Sequence, residues 1–168
     1  MGVIALSVGV CVALAVMRSN GLTSVTVTAL DPQAEPRDHD LPLVKQKEAL
    51  PDYRVTVILN DGEWVKLGTK PDTSAAEGLT WQLSEPVSLA AITSVRLDDV
   101  DKVVSDTIAE VEFGSGVPVE EKGYRFEFTA ERSFAVGVQS FFGTPVGQAI
   151  AVGLCLAILA VVLSAVNW

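Results

Sequence analysis

The sequence predicts a mainly β protein: an antiparallel β-sandwich domain held between an N-terminal and a C-terminal transmembrane helix. Three observations carry that expectation. All 12 Lys and Arg and all 21 Asp and Glu of the 168 residues lie between Arg18 and Arg132, so both ends are uncharged. Those ends are rich in Val, Ala, Leu and Ile, which reconciles 49% hydrophobic residues with a net charge of −9. Between them, short β-branched runs alternate with polar residues and are separated by turn formers, the pattern of half-buried strands.

Residues 1–18 read as an N-terminal transmembrane anchor. Val3 to Met17 is a run of about fifteen apolar residues, short for a span and close in length to the hydrophobic region of a signal peptide. It has no Lys or Arg ahead of it to form a positive n-region, which favours an anchor over a cleaved leader. Residues 144–167 read as the C-terminal transmembrane helix: Val146 to Val166 carries no charge, and at ~1.5 Å per residue it matches a ~30 Å hydrocarbon core. Thr144 and Pro145 supply an N-cap and a proline at the first helical position. Ala5, Gly9 and Ala13 in the first helix and Ala149, Gly153 and Ala157 in the second form small-residue stripes at four-residue spacing, which let helix backbones approach closely in lipid.

Two spans place both termini on one side of the bilayer. Arg18, Arg125 and Arg132 flank the spans on the inner loop, which assigns the β domain to the cytoplasmic side; a loop this long weakens the rule, so the periplasmic face stays open. Cys11 and Cys155 both fall in the expected spans, leaving the middle of the chain without a thiol for a disulfide or a zinc site.

Residues 19–51 read as a strand followed by a proline-rich linker. Leu22 to Leu30 is rich in Thr and Val, whereas Pro32, Pro36, Pro42 and Pro51 among charges prevent a sustained helix. The β-sandwich is expected over residues 52–142. Its strands are Tyr53 to Leu59, Glu63 to Leu67, Leu79 to Leu83, Ile92 to Leu97, Ile108 to Phe113, Tyr124 to Thr129 and Ser133 to Phe141. In Tyr124-Arg125-Phe126-Glu127-Phe128 the aromatics and the charges take opposite faces.

Ser94-Val95-Arg96-Leu97-Asp98-Asp99-Val100-Asp101, followed by Ser105-Asp106-Thr107-Ile108-Ala109, resembles the C-two domain, the calcium- and lipid-binding β-sandwich named for a conserved region of protein kinase C. In that family a strand runs into an Asp-x-Asp loop with further acidic residues behind it. Asp61-Gly62-Glu63-Trp64-Val65-Lys66-Leu67 is similar to the family's strand start, and Trp81 sits near its usual tryptophan. The resemblance covers about residues 53 to 113. It implies a calcium site formed by Asp61, Asp99, Asp101 and Asp106, with calcium as the one cofactor candidate. Ca²⁺ prefers six to eight oxygen ligands, which a loop of carboxylates and carbonyls can provide. Gly62 stands where the family has an aspartate, so the first loop is depleted.

Catalytic and nucleic-acid functions are disfavoured. His39 is the lone histidine and lies in the linker. There is no Gly-x-Ser-x-Gly, phosphate-binding glycine loop or HExxH, and no basic cluster suited to phosphate backbones. The expected function is that of a non-catalytic accessory subunit of a larger membrane complex of respiratory, photosynthetic or secretory type. Its partners would be other integral membrane subunits and the lipid bilayer, with no nucleic acid and no small-molecule substrate. The alternative is a membrane-tethered, calcium-responsive sensor of C-two type.

Overall fold

The computed structural model describes residues 19–36, 50–100, 105–114 and 117–166, with residues 154, 157, 158, 160, 161 and 166 described by their backbone alone. The described chain divides into two compact units, one running Gly21–Glu131 and the other holding Ser19 and Asn20 together with the residues from Arg132 onward.

The first unit contains two four-stranded sheets. The first sheet has the order β4-β1-β8-β7, with β1 at Ser19–Ala29, β4 at Leu79–Ser88, β7 at Val119–Glu121 and β8 at Tyr124–Ser133. The second has the order β3-β2-β5-β6, with β2 at Tyr53–Leu59, β3 at Trp64–Lys70, β5 at Ile92–Val100 and β6 at Ser105–Glu112. In the second sheet every neighbouring pair is antiparallel. The chain changes sheet four times, between β1 and β2, β3 and β4, β4 and β5, and β6 and β7, so the two sheets are interleaved along the sequence.

Alternation fixes which residues enter the core. Val25 and Val27 of β1, Val55 and Val57 of β2, Val95 and Leu97 of β5 and Phe126 of β8 are fully buried, each two residues from its neighbour on the same strand face. Trp81 of β4 is also buried, and its indole N–H donates to the Gly68 carbonyl at 2.6 Å. That bond satisfies the polar tip that a buried tryptophan otherwise leaves unpaired. Pro86 is accommodated because β4 is an edge strand of its sheet.

Three expectations are corrected. Ser133 to Phe141, expected as a strand, forms helix α1 at Phe134–Phe142 instead. Ser133 caps it, its hydroxyl accepting from the Val136 N–H at 3.3 Å; the alternation of Phe134, Val136 and Val138 mimicked a strand. β1 is itself an inner strand of the sandwich and not a lead-in to it: Leu22, Val25, Val27 and Ala29 belong to the buried core.

The third correction concerns the membrane. Helix α2 runs Pro145–Val166, with Thr144 capping it as expected: the Thr144 hydroxyl accepts from the Gly147 N–H at 3.1 Å. Yet among the described residues no helix is long and apolar enough to cross a membrane. The expected first span lies outside the described residues. The flanking transmembrane helices and the two-span membrane localisation are therefore not retained.

Candidate functional site

The acidic residues singled out by sequence are not brought to one place. β2 and β5 pair antiparallel with Tyr53 opposite Asp99 and Leu59 opposite Ile92. Asp61 follows Leu59, so it stands at the opposite end of the sheet from Asp99, six residues or about 20 Å along β2. One calcium ion cannot take both as ligands at the 2.3–2.6 Å such bonds require. Asp61 instead shapes the β2–β3 turn, its Oδ1 accepting from the Glu63 N–H at 3.0 Å, and Gly62 provides the positive φ of +86° there. Asp99 and Asp106 are brought together as cross-strand partners of β5 and β6. Asp101 lies outside the described residues. Among the described residues there is no group of three or more His, Cys, Asp or Glu that could hold a metal ion.

Asp99 belongs to a buried polar layer between the sheets. It faces inward from β5, and its Oδ1 accepts from the Asp52 N–H at 2.8 Å. Beside it the Tyr53 and Tyr124 hydroxyls meet at 2.9 Å, joining β2 of one sheet to β8 of the other, with the rings edge to face. Glu35, also buried, accepts from the Ala75 N–H at 2.8 Å and the Ser74 hydroxyl at 3.2 Å. Burial pushes the Tyr53 phenol far above its ordinary pKa, and the bond to Tyr124 and the charges of Glu35 and Asp99 push the same way. Burial raises Tyr124 as well, partly offset by its bond from Tyr53. These groups tie the two sheets together at one end.

The small-residue stripes fare differently. Ala5, Gly9 and Ala13 lie outside the described residues, as does the side chain of Ala157. Ala149 is exposed, and a Cβ placed on Gly153 would meet nothing within 4 Å. The close approach is at Gly147, where a Cβ would overlap the Phe141 carbonyl. Sequence spacing missed it because the contact is a corner between α1 and α2, which no periodicity within one helix reveals.

Two exposed surfaces remain. On α2, Val146, Ile150, Val152, Leu156, Leu159, Val162 and Leu163 are each 45–65% exposed, and at ~100° per residue they point around most of the helix. On the outer face of the second sheet, β2 sets Trp64 and Ser94 in one row across Ile58 and sets Lys66 and Arg96 in the next row across Thr56. Trp64 is 54% exposed, with the Arg96 guanidinium 4.6 Å and the Lys66 ammonium 6.0 Å from its ring centre. Asp98, buried on the same face, lies 3.3 Å from Arg96 and 3.6 Å from Arg54 and accepts from the Thr107 hydroxyl at 3.0 Å. The outward residues of these strands were visible in the sequence, but only the pairing order shows which of them become neighbours.

Comparison with protein-family models gives no match, and comparison with curated proteins gives none either. The C-two resemblance therefore rests on the residues quoted for it alone.

Proposed function

We propose that this chain is a non-catalytic accessory subunit of a larger protein assembly, in which α2 is covered by partner subunits and the β-sandwich docks on one of them. The observation that carries this reading is α2 itself. Seven large apolar side chains of one helix are about half exposed or more in the isolated chain. Contiguous apolar surface of that extent marks a surface that another molecule covers, and a helix apolar around its circumference is one that is buried in its working state. The acidic balance of the chain, −9, adds a second preference, for basic surfaces on whatever it meets.

The test is co-purification under non-denaturing conditions, comparing the native chain with Leu156→Glu combined with Leu159→Glu. The reading expects defined subunits in fixed proportion with the native chain and their loss from the double variant, with the sandwich still folded by circular dichroism. A native chain that migrates alone, or a double variant that keeps every partner, contradicts it.

A further inference from the structure

Three of the four edge strands of the two sheets are blunted against further pairing by features of this chain. β7 is three residues long, β4 is interrupted by Pro86, and the Gly68 carbonyl of β3 is taken by the Trp81 indole. The fourth is β6, Ser105–Glu112, and among the described residues no strand pairs with its far side. The register shows which of its backbone groups are open. The Phe113 N–H donates to the Thr93 carbonyl at 2.9 Å, so Val111 with Val95 and Ala109 with Leu97 are the hydrogen-bonded pairs that follow. In an antiparallel ladder the residues between such pairs turn both backbone groups the other way. Glu110 and Glu112 therefore present their N–H and C=O groups at the open edge, about 7 Å apart along the strand. The register shift between Leu97 and Asp98 ends this regular stretch on its other side.

The side chains of this edge select what pairs with it. β6 carries Asp106, Glu110 and Glu112, all exposed, and no Lys or Arg. Arg96 stands across from Glu110 on β5 but lies against Asp98 and the Trp64 ring. A second copy of β6 laid along the first would crowd carboxylates together, a common way in which an edge is kept from self-association. A strand with Lys or Arg at every second position meets the opposite situation. Its cations fall opposite Glu110 and Glu112 on the outer face, and its intervening side chains fall on the side of the buried Ala109 and Val111. We infer that the open edge of β6 is completed by an extended segment of a partner protein, paired antiparallel, with Lys or Arg at alternate positions opposite Glu110 and Glu112. The inference rests on the proposed subunit function and names the contact through which the sandwich docks. Antiparallel addition continues the pattern of the whole second sheet. Main-chain bonds supply the attachment and the carboxylates supply the choice of partner.

The probe is a short blocked peptide of alternating Lys and Val, titrated into the full-length protein by calorimetry, with a peptide of alternating Glu and Val as the comparison. The expected result is saturable binding that weakens as salt is added, with the Glu peptide bound about tenfold more weakly or worse. Methylating the backbone nitrogens of the Lys residues should abolish binding, because those N–H groups face Glu110 and Glu112. Methylating those of the Val residues should leave it, because they point away. The Glu110 and Glu112 amides should exchange hydrogen quickly in the free chain and about tenfold more slowly with peptide bound, while Val111 is slow throughout. Glu112→Lys should weaken the Lys peptide about fivefold or more. Glu112 is exposed, so its variant remains informative where Glu110→Lys loses the bond from Ser94 and disturbs the sheet. Any of four results overturns the inference: no binding of the Lys peptide, equal binding of its two methylated forms, Glu110 and Glu112 amides whose exchange the peptide leaves unchanged, or affinity unaffected by Glu112→Lys in a folded protein. Partners that co-purify with the wild type and stay bound to Glu112→Lys overturn this contact while leaving the subunit function intact. A wild type with no partners removes the subunit function, and the peptide and exchange results then decide the β6 edge by themselves.

Discussion

Replacing Tyr53 and Tyr124 together by phenylalanine should flatten the alkaline limb of the stability curve. These are the only two tyrosines in the chain, and their hydroxyls meet at 2.9 Å between the sheets. Burial raises both phenols above their ordinary range, Tyr53 far above it. In the unfolded chain they ionise near pH 10. The stabilisation is therefore whole below about pH 10 and drains away as pH rises from there toward the raised native values. Once the unfolded tyrosines are ionised and the native ones are not, each contributes a slope of about 1.4 kcal/mol per pH unit, or roughly 2.7 for the pair. Urea unfolding from about pH 9 to about pH 11 should show the wild type losing about 1.4–2.7 kcal/mol more than the double variant in total, with the steepest loss near pH 11. Tyrosinate absorbance of the native protein should stay flat over the same range and rise only with unfolding. At neutral pH the single Tyr53→Phe change should cost more than the double change, because it strands the Tyr124 hydroxyl, at about 1–3 kcal/mol. Native tyrosinate appearing near pH 10, or parallel alkaline limbs for wild type and double variant, would refute the buried pair.

Other parts of the structure give sharper contrasts. Gly147→Ala should disrupt the α1–α2 corner and lower helical circular dichroism, since the new methyl falls on the Phe141 carbonyl, whereas Gly153→Ala should be neutral or stabilising by up to ~1 kcal/mol of helix propensity. Equal effects at the two glycines would contradict that geometry. Leu97→Ala, in the fully buried centre of β5, should cost about 2–5 kcal/mol in chemical denaturation, and a loss below about 1 kcal/mol would mean that the residue is not in the core. Any calcium that binds near Asp99 and Asp106 should be indifferent to Asp61→Asn by calorimetry, because the turn holding Asp61 is at the far end of β2; an affinity that falls severalfold would mean that the two ends share an ion.

Much of the sandwich was legible because half-buried strands write their faces into the sequence. Tyr53–Leu59 is a strand with the boundaries its alternation implied, and Tyr124 and Phe126 face inward as their spacing required. Two kinds of feature were not legible. α1 was misread because nine residues contain too few turns for a helical period to dominate a chance alternation, and the deciding signal was the single cap at Ser133. The site depended on strand order. Asp61 and Asp99 looked like partners when the strands were laid end to end, yet antiparallel pairing of β2 with β5 sends them to opposite ends. The same pairing draws Trp64, Lys66 and Arg96 together from segments about thirty residues apart, and nothing in one strand's pattern reveals its neighbour.

The apolar helix gave the strongest hydrophobic signal in the sequence, and its meaning lies in what covers it. The most direct measurement is the native mass of the chain isolated at its natural abundance under non-denaturing conditions, by size-exclusion chromatography with light scattering and subunit analysis. The account predicts a particle well above the 17.8 kDa of one chain, with other subunits in fixed proportion and Leu156 and Leu159 protected from surface labelling within it. A monodisperse 17.8 kDa species with no companion subunit and with those leucines freely labelled would contradict it.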